Sequence, residues 1–214
     1  MSDQIAHALM ALPIFLFSLT VHEFAHGYIA YRFGDPTAKN AGRLTLNPIP
    51  HIDVWGAVVF IMSNFTFGWA KPVPIMPGYF RDFKKGILWS AAAGPISNLI
   101  LALGFGLLFR FTPYVVNDPQ LQSIVLSFMF YGVIINCALA FFNMIPLPPL
   151  DGSKVLFGLL PPKYDHIAIR LERIGPFGLI ALIGLGFITG VSVIWILIGP
   201  FVSFFVGLFT GASF

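Results

Sequence analysis

Long apolar runs separated by short polar stretches dominate the sequence. The runs cover about residues 5–33, 87–111, 121–142 and 177–198, and each contains the roughly 20 residues with which an α-helix crosses the hydrocarbon core of a bilayer. The backbone of a spanning segment must satisfy its own hydrogen bonds, which favours helices for all of these runs. The pattern therefore predicts an all-α polytopic membrane protein.

The stretch between the first two runs, residues 40–80, does not follow this pattern. Residues 43–46 and 71–75 alternate in polarity as short strands do, although prolines restrict the second piece to an edge position. Residues 54–67 are apolar but too few for an ordinary crossing. We therefore expect a short β or re-entrant insertion after the first span.

The part of the chain after the third run begins with a proline-rich turn. Residues 143–152 contain three prolines, which force an extended path and end the third span. A basic amphipathic piece precedes the fourth run, Pro200 interrupts the helical path after it, and residues 201–214 are too few for another crossing. We therefore divide the chain into a core, residues 1–160, and a C-terminal part, residues 161–214, with an amphipathic segment and one or more spans.

Composition and charge support the membrane assignment. Of the 214 residues, 57% are hydrophobic and only 10% are charged, and the mean hydropathy is +0.85, which excludes an ordinary soluble domain. All of the 12 Lys and Arg residues except Arg110 lie at the end of the first run or in the stretches that follow the first and third runs. Positive charge marks the cytoplasmic side, so these stretches are predicted to face the cytoplasm from the cell membrane. Because the charges flank spans rather than form one stripe, no nucleic-acid partner is expected.

Three ionisable side chains lie together inside the first run, namely His22, Glu23 and His26. On a helix the two histidines are one turn apart and project from the same face, while Glu23 lies about 100° round the helix from His22. This is the H-E-x-x-H arrangement in which two imidazoles hold zinc and the carboxylate acts as general base toward water. The alternative is a helix-end histidine pair with a glutamate that reaches the interface, but ionisable groups in hydrocarbon are costly and usually functional.

Four further polar residues are candidates for the site or its surroundings. Asp151, in the proline-rich turn, is the natural third zinc ligand, although it can also cap the helix that starts near Ser153. Asn98, in the second run, needs a hydrogen-bond partner either near the metal or on another helix. His51 and Asp53 lie in another proline-rich turn, where we expect loop hydrogen bonds rather than metal ligation.

Taken together, these motifs make the sequence resemble the site-2 protease family, which consists of intramembrane zinc metalloproteases. Residues 42–53 and 69–74 resemble the small branch of that family, and the resemblance covers roughly residues 5–160, which the family builds as a three-helix catalytic core. Many members also carry an extra leading span and a PDZ or other regulatory domain, and none is expected here. The motifs that carry the resemblance are His22-Glu23-Phe24-Ala25-His26, Gly94-Pro95-x-x-Asn98 and Asn143-x-x-Pro146-x-Pro148-Pro149-x-Asp151-Gly152.

The resemblance implies a role for each motif residue and a class of substrate. The substrate would be a transmembrane protein or peptide, cleaved in or near its membrane segment within the lipid bilayer. Two alternatives stay open, a metal-ion or proton transporter that uses the same cluster and a protein that binds the metal structurally. The sequence predicts no particular oligomeric state. The implied zinc ligands, one ion per chain, are His22, His26 and Asp151; the implied general base is Glu23; and the implied polar helpers, as candidate donors to the oxyanion, are Asn98 and Asn143.

Overall fold

The computed structural model describes residues 2–62 and 69–211, and every regular element among them is helical. The all-α prediction is therefore confirmed. The α-helices are α1 Ser2–Arg32, α2 Thr37–Asn40, α3 Val54–Met62, α4 Phe83–Val115, α5 Pro119–Asn143, α6 Asp151–Leu159, α7 Asp165–Thr189 and α8 Val193–Thr210.

Three of the described helices, α4, α5 and α8, are long and apolar enough to cross a membrane, and the protein is an integral membrane protein. The first two contain the second and third predicted runs. Helix α1 contains most of the first run and packs along α4 in the opposite direction, since His22 meets Asn98 while His26, further along α1, meets Ser90. Helix α4 is central to the bundle, because it contacts α1, α5, α6 and α8.

The hydrophobic core lies between α4, α5 and α8. Small residues bring these helices together: a Cβ atom on Gly132 would lie 2.4 Å from the ring of Phe105, and one on Gly106 would lie 2.7 Å from Cβ of Phe209. Lipid tails are as apolar as the side chains, so close packing of this kind drives association of membrane helices. The fully or nearly fully buried members of the core are Ala102, Val133, Cys137, Ile198, Val202 and Val206.

The C-terminal part differs from the prediction. The run 177–198 is not one span, because α7 ends at Thr189, the chain turns at Gly190, and α8 begins at Val193. Gly190 adopts φ +70°, a left-handed conformation that ends helices and that glycine adopts without strain. Helix α8 then continues through Pro200, so this proline lies inside a candidate spanning helix and does not end it. Spanning helices tolerate proline because neighbouring groups satisfy the freed carbonyl.

The strands predicted within residues 40–80 do not form. Among the described residues, the only pairing of strand type is an isolated antiparallel bridge between Ile52 and Ala70. Part of the predicted re-entrant stretch, Val54–Met62, is helix α3, and its remainder, residues 63–67, lies outside the described residues.

Carboxylates take the place of a partner strand beside residues 71–76. The two prolines of this segment have no N–H to offer a ladder. Of the N–H groups that the segment retains, that of Val73 donates to Oε2 of Glu23 at 2.8 Å and that of Met76 donates to Oδ2 of Asp35 at 2.6 Å. The segment is therefore irregular and is bound to side chains of α1 and the turn after it.

Replacing Gly106 by alanine is expected to destabilise the bundle, because the added methyl would lie 2.7–3.0 Å from side-chain and backbone atoms of Phe209 on α8. Overpacking of this kind costs about 1–3 kcal/mol. The matched control is Gly104→Ala on the same helix, where an added methyl meets no other part of the protein within 4 Å. Thermal unfolding in detergent should give a lower Tm for Gly106→Ala than for Gly104→Ala, and equal values would contradict the packing of α8 on α4.

Candidate metal centre

Two histidines of α1 and the first residue of α6 bring their side chains to one point. The Nε2 atoms of His22 and His26 lie 2.9 Å apart, and Oδ2 of Asp151 lies 3.2 Å from the first and 3.1 Å from the second. All three residues are buried. Among the described residues this is the only group of three His, Cys, Asp or Glu side chains close enough to share a metal ion.

Hydrogen bonds on the far side of each imidazole fix its tautomer. Nδ1 of His26 lies 2.6 Å from the backbone carbonyl of Ser90, which can only accept, so Nδ1 carries the proton. Nδ1 of His22 lies 2.6 Å from Oδ1 of Asn98, whose Nδ2 donates to Oδ1 of Asn136 at 3.0 Å. Both Nε2 atoms therefore direct lone pairs toward the same point, as zinc-ligating histidines do.

The donor set fits a zinc ion. In the neutral imidazoles with Nδ1 protonated, neither Nε2 atom has a hydrogen to donate to Asp151, and Oδ2 of Asp151 is buried without a hydrogen-bond donor in the described structure. A buried carboxylate oxygen in that state is costly unless a cation is present. Two imidazole nitrogens and one carboxylate oxygen suit zinc, and ligands about 2.0–2.1 Å from a tetrahedral ion lie about 3.3 Å apart, close to the observed 2.9–3.2 Å.

Gly94 of α4 leaves the space in which the ligand atoms meet. A Cβ atom at this position would lie 2.4 Å from Nε2 of His26 and 2.6 Å from Nε2 of His22. Real Cβ atoms do not approach other heavy atoms so closely, so any larger residue would displace the imidazoles or separate α4 from α1. The absence of a side chain at this one position therefore sets how close the two helices come.

Glu23 lies next to this cluster and is held by backbone that is distant in sequence. Its Oε2 accepts the N–H of Val73, and among residues 2–62 and 69–211 its Oε1 makes no hydrogen bond. The segment that carries Val73 is anchored further along by Asp35, which is fully buried and accepts N–H groups from both Met76 and Thr37. The carboxylate of Glu23 is thus oriented by one oxygen and open at the other.

The two asparagines proposed as helpers lie in different surroundings. Asn98 is fully buried beside His22, and both ends of its amide are engaged, because Nδ2 also approaches the carbonyl of Ser18 at 3.4 Å. Asn143 lies in the last turn of α5, and its Nδ2 donates to the carbonyl of Leu139 in the same helix at 3.0 Å. Within the described part of the chain, no hydrogen bond joins Asn143 to the metal cluster.

The remaining candidates make local contacts. His51 is buried, and its Nε2 donates to the carbonyl of Thr45 at 3.0 Å. Asp53 accepts the N–H of Gly56 at 2.8 Å and so caps α3. Asp151 forms no capping hydrogen bond at the start of α6. The cluster therefore includes Asp151 and excludes both His51 and Asp53.

Sequence reasoning missed several residues that shape the site. Asn136 could have been found, since an amide in an apolar run needs a partner for the same reason as Asn98. Ser90 and Val73 contribute backbone groups, which no pattern of side chains reveals. Asp35 lies in the turn after α1, and its complete burial, which requires it to bind donors, is visible only in the structure.

Comparison with known proteins agrees on one family. The family described as Peptidase family M50 matches residues 111–182. "Putative zinc metalloprotease YwhC" of Bacillus subtilis (strain 168) is 40% identical over 182 residues, which are 83% of this chain and 80% of that protein. "Putative zinc metalloprotease Rip2" of Mycolicibacterium smegmatis is 31% identical over 78% of this chain and 63% of its own length. "Zinc metalloprotease MJ0392" of Methanocaldococcus jannaschii is 26% identical over 95% of this chain, which spans half of that longer protein. No solved structure matches the chain at a significant level.

Replacing Gly94 by alanine is expected to weaken zinc binding about tenfold or more, because the new methyl would lie 2.4–2.6 Å from the imidazoles of His22 and His26. The matched control is Gly104→Ala, which makes the same change on the same helix in open space. Zinc retained by the purified proteins against a chelator series measures the difference. Equal retention by the two variants would show that α4 does not confine the ligands in this way.

Proposed function

This chain belongs to peptidase family M50, the site-2 protease family, and we propose that it cleaves peptide bonds in or near the transmembrane segments of other membrane proteins. As a member it is a zinc metalloprotease, that is, a hydrolase that acts on peptide bonds. The observation that carries the proposal is the meeting of His22, His26 and Asp151, with Glu23 beside them, in a bundle that contains membrane-spanning helices.

We assign His22, His26 and Asp151 as the ligands of one zinc ion per chain. Three protein ligands are the number found in catalytic zinc sites, whereas structural sites have four, so the donor set favours catalysis over a structural metal. Zinc, when bound, supplies the positive charge that polarises a carbonyl group and makes water more acidic. Asn98 and the carbonyl of Ser90 orient the two imidazoles, so that their Nε2 lone pairs point to the ion.

We assign Glu23 as the general base. Its Oε1 has no hydrogen bond among the described residues, so it is free to accept a proton from the attacking water. The N–H of Val73 holds Oε2 and thereby limits the rotation of the carboxylate. The same carboxyl group then delivers the proton to the amine that leaves when the peptide bond breaks.

The asparagines receive different assignments from those implied by sequence alone. Because both ends of the Asn98 amide are engaged by protein groups, we assign it to positioning His22 and not to the oxyanion. Asn143 is bound to its own helix, and we assign it no role in the reaction. We therefore assign neither asparagine as a donor to the oxyanion.

The substrate must be extended where it is cut. A transmembrane helix hides its peptide groups in internal hydrogen bonds, so a helical substrate has to unwind before the bond reaches Glu23. Residues 71–76 lie against Glu23 through Val73 without forming a helix or a strand pair. We propose that the extended stretch of the substrate lies along this backbone, beside Glu23.

A metal-ion or proton transporter is the alternative function for the same cluster. Transporters also gather ionisable residues within the membrane, and His22, Glu23, His26 and Asp151 form a compact group of such residues here. The two functions make different demands on Glu23. Proteolysis needs it as a base beside an intact metal site, whereas ion passage needs every ionisable member of the path and yields no peptide product.

The Glu23→Gln variant is expected to retain zinc and lose cleavage of a membrane-spanning test substrate. The amide keeps the size of the side chain and can still accept the N–H of Val73, but it cannot accept a proton from water. General acid–base groups contribute about 10²- to 10⁴-fold, so the rate should fall by that factor or more. Zinc stoichiometry and product formation are measured on the same purified protein in lipid.

The control variants are His22→Ala and Asp151→Ala, which each remove one of three anchors and should lose zinc and activity together. Retained proteolysis in Glu23→Gln, or full zinc and activity in Asp151→Ala, would require another assignment of the site. Ion flux through reconstituted wild-type protein without any peptide product would favour the transporter.

We further propose that the protein lies in the cell membrane with its metal centre nearer the cytoplasmic side. The centre is formed by residues 22–26 of α1 and residues 90–98 of α4, in the halves of these helices that lie closest to the basic stretches. These stretches are cytoplasmic by the positive-inside rule.

Two single-cysteine variants in a Cys137→Ala background test this orientation, since Cys137 is the only native cysteine. Tyr114→Cys, at an 83% exposed position near the end of α4, should react with a membrane-impermeant maleimide on intact cells. Tyr164→Cys, at a 37% exposed position between α6 and α7, should react only after the membrane is opened. The reverse pattern would invert the proposed topology.

A further inference from the structure

Helix α7 begins and continues at one end of the bundle. Its first residue, Asp165, binds Nζ of Lys84 at 2.6 Å, and Lys84 lies in the first turn of α4. At the middle of α7, a Cβ atom on Gly175 would lie 2.4 Å from Pro148, in the turn that follows α5. Helices α4 and α5 are antiparallel, because Asn98 meets Asn136 while Phe105, later in α4, meets Gly132, earlier in α5. The start of α4 and the end of α5 therefore lie at the same end of the bundle. Both the first residue and the middle of α7 lie at this end.

Helix α8 starts at this same end. Near its C-terminus Phe209 packs on Gly106, and Arg110 donates to the carbonyl of Phe209 at 2.7 Å, both in the later half of α4. Earlier in α8, Phe201 stacks on Phe141 near the end of α5, with ring centroids 5.6 Å apart. Helix α8 therefore runs parallel to α4, and its first residues lie beyond Phe201 toward the end where α4 starts.

The two ends of α7 are thus on the same side of the bundle, because Thr189 is joined to Val193 by only three residues. A helix of 25 residues is about 37 Å long, more than the ~30 Å of the hydrocarbon core, so a crossing α7 would end on the opposite side. We infer that α7 does not cross the membrane but lies along the bilayer surface and binds anionic lipid headgroups. The inference concerns this helix alone and does not depend on the proposed protease activity.

Basic side chains are concentrated in the first half of α7 and the turn before it, and large apolar side chains are exposed along the whole helix. Its first part and the turn before it expose three cations, Lys163, Arg170 and Arg173, against one exposed carboxylate, Glu172. The other acidic residue there, Asp165, is paired with Lys84. Each Lys or Arg near the membrane surface adds attraction to anionic lipid headgroups. The large apolar side chains that α7 exposes are Ile167, Ile169, Ile174, Phe177, Ile180, Leu185 and Ile188.

Helix α7 packs on the turn that leads to the metal centre. Gly175 packs on Pro148 and Gly178 on Leu147, and this turn leads directly into Asp151 at the start of α6. A helix drawn to the membrane surface therefore rests on the turn that carries one of the proposed ligands. Any displacement of α7 from the surface would remove packing atoms from that turn.

The first test is topological and uses Val191→Cys in the Cys137→Ala background. Val191 lies between α7 and α8 and is 50% exposed. It should react with the impermeant maleimide from the same side as Tyr164→Cys and from the side opposite to Tyr114→Cys. Reaction from the side of Tyr114→Cys would show that α7 crosses the membrane and would overturn the inference.

The second test measures depth with spin labels at Ile174→Cys and Ile188→Cys, both at exposed positions of α7. An interfacial helix places both labels at similar, shallow depths in vesicles of phosphatidylcholine and phosphatidylglycerol. A crossing helix would separate them by about 21 Å along the membrane normal, since position 188 comes 14 residues after position 174. A depth difference of that size would exclude the surface position.

The third test addresses the anionic headgroup. A fluorescent probe at Ile174→Cys should be quenched more strongly by headgroup-labelled phosphatidylglycerol than by headgroup-labelled phosphatidylcholine. Arg170→Gln with Arg173→Gln should weaken that preference about 30-fold, whereas the matched pair Arg32→Gln with Lys39→Gln, which removes equal charge elsewhere, should leave it unchanged. An unchanged preference in the first pair would refute the lipid site. Self-quenching between copies that survives dilution in lipid would identify a second copy of the chain as the occupant instead.

Discussion

The metal centre depends on the need of every buried polar group for a partner inside the bundle. Away from water, an imidazole that offers one nitrogen to a metal must satisfy the other nitrogen with protein. His22 uses the amide of Asn98 and His26 uses a backbone carbonyl of α4, so the two histidines are tied to a neighbouring helix as well as to each other. Because Gly94 lies between these two contacts, α4 approaches closely enough for both to form at once.

The requirement that buried polar groups have hydrogen-bond partners also determines the conformation of the irregular segment beside the site. Residues 71–76 have lost two backbone donors to proline, and the carboxylates of Glu23 and Asp35 take the donors at Val73 and Met76. The arrangement has a catalytic benefit under the proposed function, since the base is oriented through one oxygen and left open at the other. It also explains why the segment with the sequence pattern of a strand forms none, because its donors at Val73 and Met76 are bound to carboxylates.

At one end of the bundle, Lys84 links α4 to both α6 and α7. Nζ of Lys84 binds Asp165 of α7, donates to the carbonyl of Phe157 in α6 at 3.1 Å, and lies 3.8 Å from the centre of the Phe157 ring. The helix that begins with Asp151 is thereby held to α4 near its far end, while Asp151 itself contacts the histidines of α1. At the opposite end, Arg110 serves mainly to bind the last carbonyls of α8.

The sequence by itself determined the class of protein, the paired histidines and the second and third long apolar runs. These features depend on local periodicity: one helical turn separates His22 from His26, and about 20 apolar residues are needed to cross a bilayer whatever surrounds them. Only the tertiary structure decided which backbone groups orient the imidazoles and Glu23, that Asn98 faces His22 while Asn143 binds its own helix, and that the run 177–198 is divided at Gly190. Those outcomes follow from contacts between residues far apart in the chain. Hydropathy is averaged over residues adjacent in sequence, so it cannot predict such contacts.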